Sequence, residues 1–336
     1  MYMLYVTYVT YTRKGETMRF SALAALIASL SALAPHGADA GSYPDKPIKM
    51  IAAFAPGGTS DYLARALAKA GSEALRQPVV VENRPGAGGM IGLDYLAKSH
   101  PDGYTIGIAS GALSIYPSTS KTMPFDAVAD FDFYGLIGRA PSVLLVSLSH
   151  PAKTFEEFVA HAKNNPKQAY GSAGVGTNTQ FTGELLNLEM GLDLRHVPYK
   201  GGSPQIADVV GGHITIAIAG LTTALPFIQS GKVRALAVST AKRSKAVPDV
   251  PTLQELGVKG IDTAEWFALL APRGTPDEIG SIWNEIIANL VKDPTLTEQS
   301  PALEPSTMTR EELKAFVARE VDLWKDVAKK ANIAAE

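Results

Sequence analysis

The chain has 336 residues, of which 46% are hydrophobic, 8% aromatic and 19% charged; that is material for about two folded domains and excludes a disordered chain. The 31 basic and 33 acidic residues leave a formal net charge of -2, which argues against a basic face for nucleic acid. Cysteine is absent, so disulfides, cysteine nucleophiles, thiolate metal sites, iron–sulfur clusters and an acylated lipoprotein anchor are excluded.

The first element is an export signal. Met18 and Arg19 are followed by an apolar run over 20–34, then by Pro35, Gly37 and Ala38-Asp39-Ala40. A basic start, a short apolar segment and a small-residue site predict cleavage near Ala40. The run falls short of the ~20 residues that a spanning helix needs. Met18 is the expected start, with 1–17 an over-long beginning. The expected mature chain is 41–336, in the periplasm and without a membrane anchor.

Strands and helices then alternate. A buried strand is predicted over 48–54, ended by Pro56-Gly57-Gly58. Leu63, Ala66, Leu67, Ala70 and Ala74 recur at helical spacing over 60–75. A strand at 79–81 leads through a glycine-rich turn into a helix at 90–98. Strands follow at 105–109 and 142–147, and a helix at 154–164. A short strand at 169–171, a glycine-rich loop and a helix at 179–190 come next. Strands at 194–197, 214–219 and 235–240 enclose helices at 203–210 and 222–229. Two long helices, 276–291 and 309–331, close the chain. This alternation predicts α/β layers with mostly parallel strands.

The motifs that would carry catalysis are missing. There is no HExxH pattern and no G-x-S-x-G elbow. The six histidines, His36, His100, His150, His161, His196 and His213, are scattered. No metal or cofactor is predicted. An exported hydrolase or lyase would need a positioned nucleophile or base, and none stands out.

Three glycine-rich loops remain. The first, 54–61, joins a strand to a helix through Gly57 and Gly58. Free amides at a helix start form an anion site or a plain tight turn. The second, 86–92, departs from the dinucleotide fingerprint at Ile91 and reads as structural. The third, 171–179, lacks the Walker lysine, because Thr177 follows Gly176. It leaves a second helix start lined by hydroxyls and amides. Two such loops could hold two ends of a small anion. Ser110 and Ser114 follow a strand end, where α/β ligand sites lie. Arg84 and Lys200 could pair with a carboxylate or simply be exposed, and Trp266-Phe267 could line a cleft or belong to the core.

Several ordered blocks carry a resemblance. They include Tyr43-Pro44-Asp45-Lys46-Pro47-Ile48, Pro56-Gly57-Gly58 with Asp61, and 80–89 from Val80 to Gly89. Pro101-Asp102-Gly103-Tyr104-Thr105, Tyr170-Gly171-Ser172 with Gly174 and Gly176-Thr177, and His196-Val197-Pro198-Tyr199-Lys200-Gly201 follow. Then come 231–237, Pro248-Asp249-Val250-Pro251-Thr252 and Leu270-Ala271-Pro272 with Gly274-Thr275-Pro276. Together they resemble the substrate-binding proteins of tripartite tricarboxylate transporters, the Bug family, from Tyr43 to the C-terminal helix.

The resemblance implies a type II periplasmic-binding-protein (Venus flytrap) fold, with two α/β lobes joined by two crossover strands. Lobe 1 is expected over 43–142 plus 267–336 and lobe 2 over 143–266. It implies a monomeric receptor whose partners are a small carboxylate ligand (di- or tricarboxylate or aromatic acid) and membrane transporter subunits. A sensor that signals to a membrane kinase is the alternative role. By position it assigns ligand binding to Phe54, Gly58, Thr59, Ser60, Ser110, Ser172, Gly176, Thr177, Asn178 and Thr179. Asp61 is expected to order the first loop. Many relatives carry an aspartate where this chain has Ala219-Gly220. Loss of that acid points away from amino-acid ligands and toward plain or aromatic carboxylates. Ala55 and Thr59 also depart from the common pattern, which changes the expected shape of the cleft.

Overall fold

The computed structural model describes residues 43–333 apart from 55 and 299. The expected export signal over 18–40, the extra start over 1–17 and Ala55 lie outside the described residues. The fold below is that of the unit beginning at Lys46.

The alternation read from the sequence is present. In chain order the elements are β1 (Ile48–Ala52), α1 (Thr59–Leu75), β2 (Val79–Asn83), α2 (Met90–Ala97), β3 (Thr105–Ser110), α3 (Ala112–Thr119) and β4 (Phe131–Ser147). They continue as α4 (Phe155–Asn164), β5 (Ala169–Ser172), α5 (Asn178–Met190), β6 (Arg195–Pro198), α6 (Gly202–Gly211), β7 (Ile216–Gly220), α7 (Leu221–Gln229) and β8 (Val233–Val238). The last are β9 (Ala264–Pro272), α8 (Asp277–Leu290), β10 (Glu304–Pro305) and α9 (Arg310–Lys330). Among the described residues no helix is long and apolar enough to cross a membrane.

The strand order is β2-β1-β3-β9-β4-β7-β5-β6, with β8 and β10 also pairing β4. β1 lies parallel between β2 and β3, and β5 lies parallel between β6 and β7. β1 is apolar along nearly its whole length because it has neighbours on both edges and cover on both faces. The expectation of mostly parallel strands fails at the centre. There β9 is antiparallel to both β3 and β4, and β4 is antiparallel to β7, β8 and β10. β4 and β9 are long strands that return against their neighbours instead of crossing over by a helix.

β4 changes partners along its length. Residues 131–141 pair with β9, while Ser142 onward pairs with β7 and β8. Only its second part is legible as a strand in the sequence. In the first part Asp132, Gly135, Gly138, Arg139 and Pro141 break any period-two pattern, and the register shifts twice against β9. In the second part the alternation is plain. Leu144 and Val146 enter a core with Phe158, Phe181 and Trp324, while Val143 and Leu145 enter another with Ile206 and Val209. A third core packs Leu93, Leu96, Phe131 and Trp266 with Leu313 and Val317.

The helices are held by ordinary devices. α9 begins with a capping box, Thr309 and Glu312 each accepting from the other's backbone N–H. Gly71 of α1 lets the Trp283 ring of α8 lie against the helix; a Cβ there would fall 2.6 Å from Trp283 Cη2.

Candidate functional site

A pocket of about 330 Å³ opens where several loops at strand ends meet. Phe54 and Gly58 reach it from the β1–α1 loop, Thr59 and Ser60 from the start of α1, and Ser110 from the end of β3. Gly176 and Thr177 reach it from the β5–α5 loop, and Asn178 and Thr179 from the start of α5. These are nine of the ten residues assigned by position. Ser172 is the exception. It is fully buried, and its Oγ lies 2.6 Å from His196 Nε2 and 3.1 Å from the Gly174 carbonyl oxygen. Burial pushes His196 down to about 4, so the ring is neutral and serves the packing of the loop.

The first loop is ordered by Asp61, as expected. Its carboxylate accepts from the Gly57 amide at 3.0 Å, from Asn83 Nδ2 at 2.8 Å and from Arg65 through two nitrogens at 3.0 Å. Asn83 also donates to the Phe54 carbonyl oxygen at 3.1 Å. Burial acts to raise the Asp61 carboxyl. The hydrogen bonds from Arg65, Asn83 and Gly57 outweigh it and hold the group below the usual aspartate value. Gly57 needs its positive φ of 91° to turn the chain here.

The second loop holds itself. Thr177 caps α5, accepting from the Gln180 amide and donating to the Gly174 carbonyl oxygen at 2.7 Å. Thr179 Oγ1 accepts from the Ala173 amide at 3.0 Å, and Gln180 Oε1 accepts from the Gly176 amide at 2.8 Å. The hydroxyls that the sequence offered as ligand donors therefore largely shape the loop.

What faces the pocket is a set of helix starts. Thr59, Ala112, Asn178 and Gly202 are the first residues of α1, α3, α5 and α6, and Thr222 is the second of α7; all five line the pocket. The Gly58, Gly111, Gly201 and Gly220 caps of α1, α3, α6 and α7 carry no side-chain bond. Their leading amides, with partial positive charge from each helix dipole, suit an anion. No lysine, arginine or histidine stands among the described lining residues.

Three buried donors wait in the same wall. Tyr116 Oη, Asn178 Nδ2 and Thr222 Oγ1 have no hydrogen-bond partner among the described residues. Such groups are costly to leave unpaired, and a bound acceptor relieves that cost. The Asn178 orientation is set by its Oδ1, which accepts from Ser142 Oγ at 2.9 Å. Burial and the nearby Glu265 keep Tyr116 protonated by raising its phenol far above the usual value.

Sequence reasoning missed Tyr116, Thr222 and above all Glu265. β9 brings Glu265 opposite Ala140 and into the pocket. Burial pushes it up to about 7, with Glu320 adding to the rise, while the neighbouring Ser110 side chain and Gly111 backbone act to lower it. Nothing local marks it, since it precedes an apolar run in sequence. Its place is fixed only by the pairing of β9 with β3 and β4. An acid is thus present in the pocket despite Ala219-Gly220, so the missing aspartate does not by itself turn the pocket away from amino-acid ligands.

Known proteins resemble the chain in sequence and fold. The family described as the tripartite tricarboxylate transporter family receptor matches residues 63–333. Protein BugT of Bordetella pertussis is 34% identical over 94% of this chain and 98% of its own. The structure of the R. palustris protein Rpa4515 with adipate superposes with a TM-score of 0.78 at 33% identity, over 88% of this chain and 100% of that one. MatC of Rhodopseudomonas palustris with bound malate gives a TM-score of 0.73 at 26% identity, over 85% of this chain and 99% of that one. By family match, by identity along nearly its whole length and by fold, the chain belongs to the receptors of the tripartite tricarboxylate transporter family.

Proposed function

We propose that this receptor is exported to the periplasm, cleaved near Ala40, and acts there as an unanchored monomer. It binds a small carboxylate (a di- or tricarboxylate or an aromatic acid) and delivers it to the membrane subunits of a tripartite tricarboxylate transporter. One observation carries the ligand class: five helix starts and three buried donors without partners among the described residues meet in a pocket whose described lining holds no basic side chain. The adipate and malate bound by the two R. palustris proteins support the same class.

The mechanism follows from the pairing of β4. In this reading 43–142 with 267–336 form one lobe, 143–266 form the other, and β4 and β9 are the crossovers. The change of partners at Ser142 supports that division. The β1–α1 loop and Ser110 belong to the first lobe. The β5–α5 loop and the starts of α6 and α7 belong to the second. A carboxylate held by one set draws the other onto it, so closure is favoured by as much as the ligand binds the closed form better. Closure excludes water and strengthens each hydrogen bond. The closed surface is what the transporter reads. No bond in the ligand needs to break.

A thermal-shift panel of adipate, malate, citrate, benzoate, nicotinate and glutamate tests this. A ligand at a hundred times its Kd adds about 2.7 kcal/mol of stability, a rise of several degrees. A shift by a sugar or a metal ion, with none by any carboxylate, would overturn the reading.

A further inference from the structure

The ligand end that Glu265 meets can be argued from the chemistry of the wall. The pocket is rich in donors. Tyr116 Oη, Asn178 Nδ2 and Thr222 Oγ1 lack partners among the described residues, and the amides at the starts of α1, α6 and α7 lack side-chain caps. Glu265 is the one carboxyl among the described lining residues. The Ser110 side chain and the Gly111 backbone already lie beside it and favour its ionised form. An ammonium would add three donors to a wall that has them in excess. A ligand rich in acceptors fits better, and two carboxylates supply more acceptor sites than one.

The rest of the wall agrees. Phe54, Ala112, Ala140 and Phe267 give it apolar stretches that suit a hydrocarbon link between two polar ends. A dianion and an ionised Glu265 would repel strongly in such surroundings. The charged and titratable groups facing Glu265 do not relieve that repulsion. On α9, Glu320 is itself raised by burial and takes hydrogen bonds from Trp266 at 3.1 Å, Trp324 at 3.2 Å and Ser114 at 3.3 Å. On β4, Arg139 is committed to Asp262 at 3.2 Å. On α3, Tyr116 is neutral; β3 offers only the Ser110 hydroxyl. A proton on Glu265 removes the repulsion and turns the acid into one more donor.

Resting on the reading of the pocket as a carboxylate site, we propose that Glu265 enters the complex as a neutral acid and that the pocket thereby selects dicarboxylates, taking up one proton from solvent with each ligand. One carboxylate lies on the helix starts, and the other accepts from the Glu265 O–H. No covalent bond changes.

Titration calorimetry on the mature chain tests this, with adipate, malate, benzoate and glutamate as probes, between about pH 7 and 9. Buffers of different ionisation enthalpy count the protons taken up. The wild type is expected to bind a dicarboxylate best, to take up a proton fraction that rises toward one at the upper end of that range, and to weaken by roughly tenfold per pH unit once Glu265 is ionised in the free protein. Glu265→Gln keeps a donor and is expected to bind adipate or malate with no proton uptake and a flat pH profile. Ser110→Ala removes a donor that favours the ionised form, so the midpoint should move to higher pH. The proposal is overturned if the wild type binds without proton uptake and follows the same profile as Glu265→Gln. It is equally overturned if benzoate or glutamate binds in preference to both dicarboxylates, or if binding tightens as pH rises and Glu265→Gln abolishes it. If no carboxylate binds either protein, the carboxylate reading itself fails and the proposal falls with it.

Discussion

Tyr116→Phe separates a binding group from a structural one. The side chain is 5% exposed, and its hydroxyl has no partner among the described residues. The substitution removes one oxygen and keeps the ring, so the core that Tyr116 shares with Leu113 and Trp266 is preserved. In the free protein it deletes an unpaired buried polar atom. Stability should stay level or rise by up to ~1 kcal/mol. In the complex the same atom would donate to a carboxylate, and hydrogen bonds to charged groups contribute about 1.5–3 kcal/mol. The affinity for whichever carboxylate stabilises the wild type should therefore fall roughly 10- to 150-fold. Urea unfolding without ligand measures the first quantity, and calorimetry the second. Opposite signs in the two are the signature of a donor held in reserve. A loss of more than ~1 kcal/mol in the free protein, or an unchanged affinity, would refute the reasoning.

Other expectations follow from the same geometry. Asp61→Ala removes the acceptor of the exposed Gly57 amide and of one Asn83 Nδ2–H, the other still reaching the Phe54 carbonyl; because Arg65 is largely exposed, its share is small, and the total loss should be about 1–3 kcal/mol in urea unfolding, with weaker ligand binding. Asp61 lies below its ordinary value of 3.8 when folded, so its contribution is full above that value and drains away as pH falls through the folded one; a scan of unfolding midpoint against pH should show the gap between wild type and variant closing there. Thr222→Val should mimic Tyr116→Phe, level in urea unfolding and weaker in calorimetry, because its hydroxyl is likewise unpartnered. Trp324→Ala empties a fully buried site that meets Phe181 edge-on at 5.5 Å and should cost about 3–5 kcal/mol by urea unfolding.

Most of the strand and helix order is legible in the sequence because each element carries its own local pattern. The apolar run of β1 and the spacing of Leu63 and Leu67 in α1 need no partner to be read. The first part of β4 is not legible, because its Gly, Pro and charged residues are placed by β9 and β10 rather than by a repeat. α3 is missed for a related reason: Pro117 lies inside it, and only Gly111 separates it from the strand before it. The site divides the same way. Glycine-rich loops announce the starts of α1 and α5, so Gly58, Thr59 and Thr177 can be named in advance. Ser172 is misplaced because a residue in such a loop can turn inward, here toward His196. Glu265 and Tyr116 sit on ordinary elements, and only the tertiary pairing turns them toward the pocket.

The pairing of β3 with β9 has a consequence for how the molecule comes into being. Ser110 finds its partner in Phe267, far down the chain. Until that segment has been synthesised, the edge of β3 stays open, and the sheet begun by β1, β2 and β3 has no closing strand. Contacts of such long range are slow to form, because the loop must close before they yield anything. A nascent chain that ends before β9 holds eight of the ten described strands, but neither Glu265 nor the strand that joins β3 to β4. The sheet is thus completed from both ends of the chain, and its closing strand is among the last to be made.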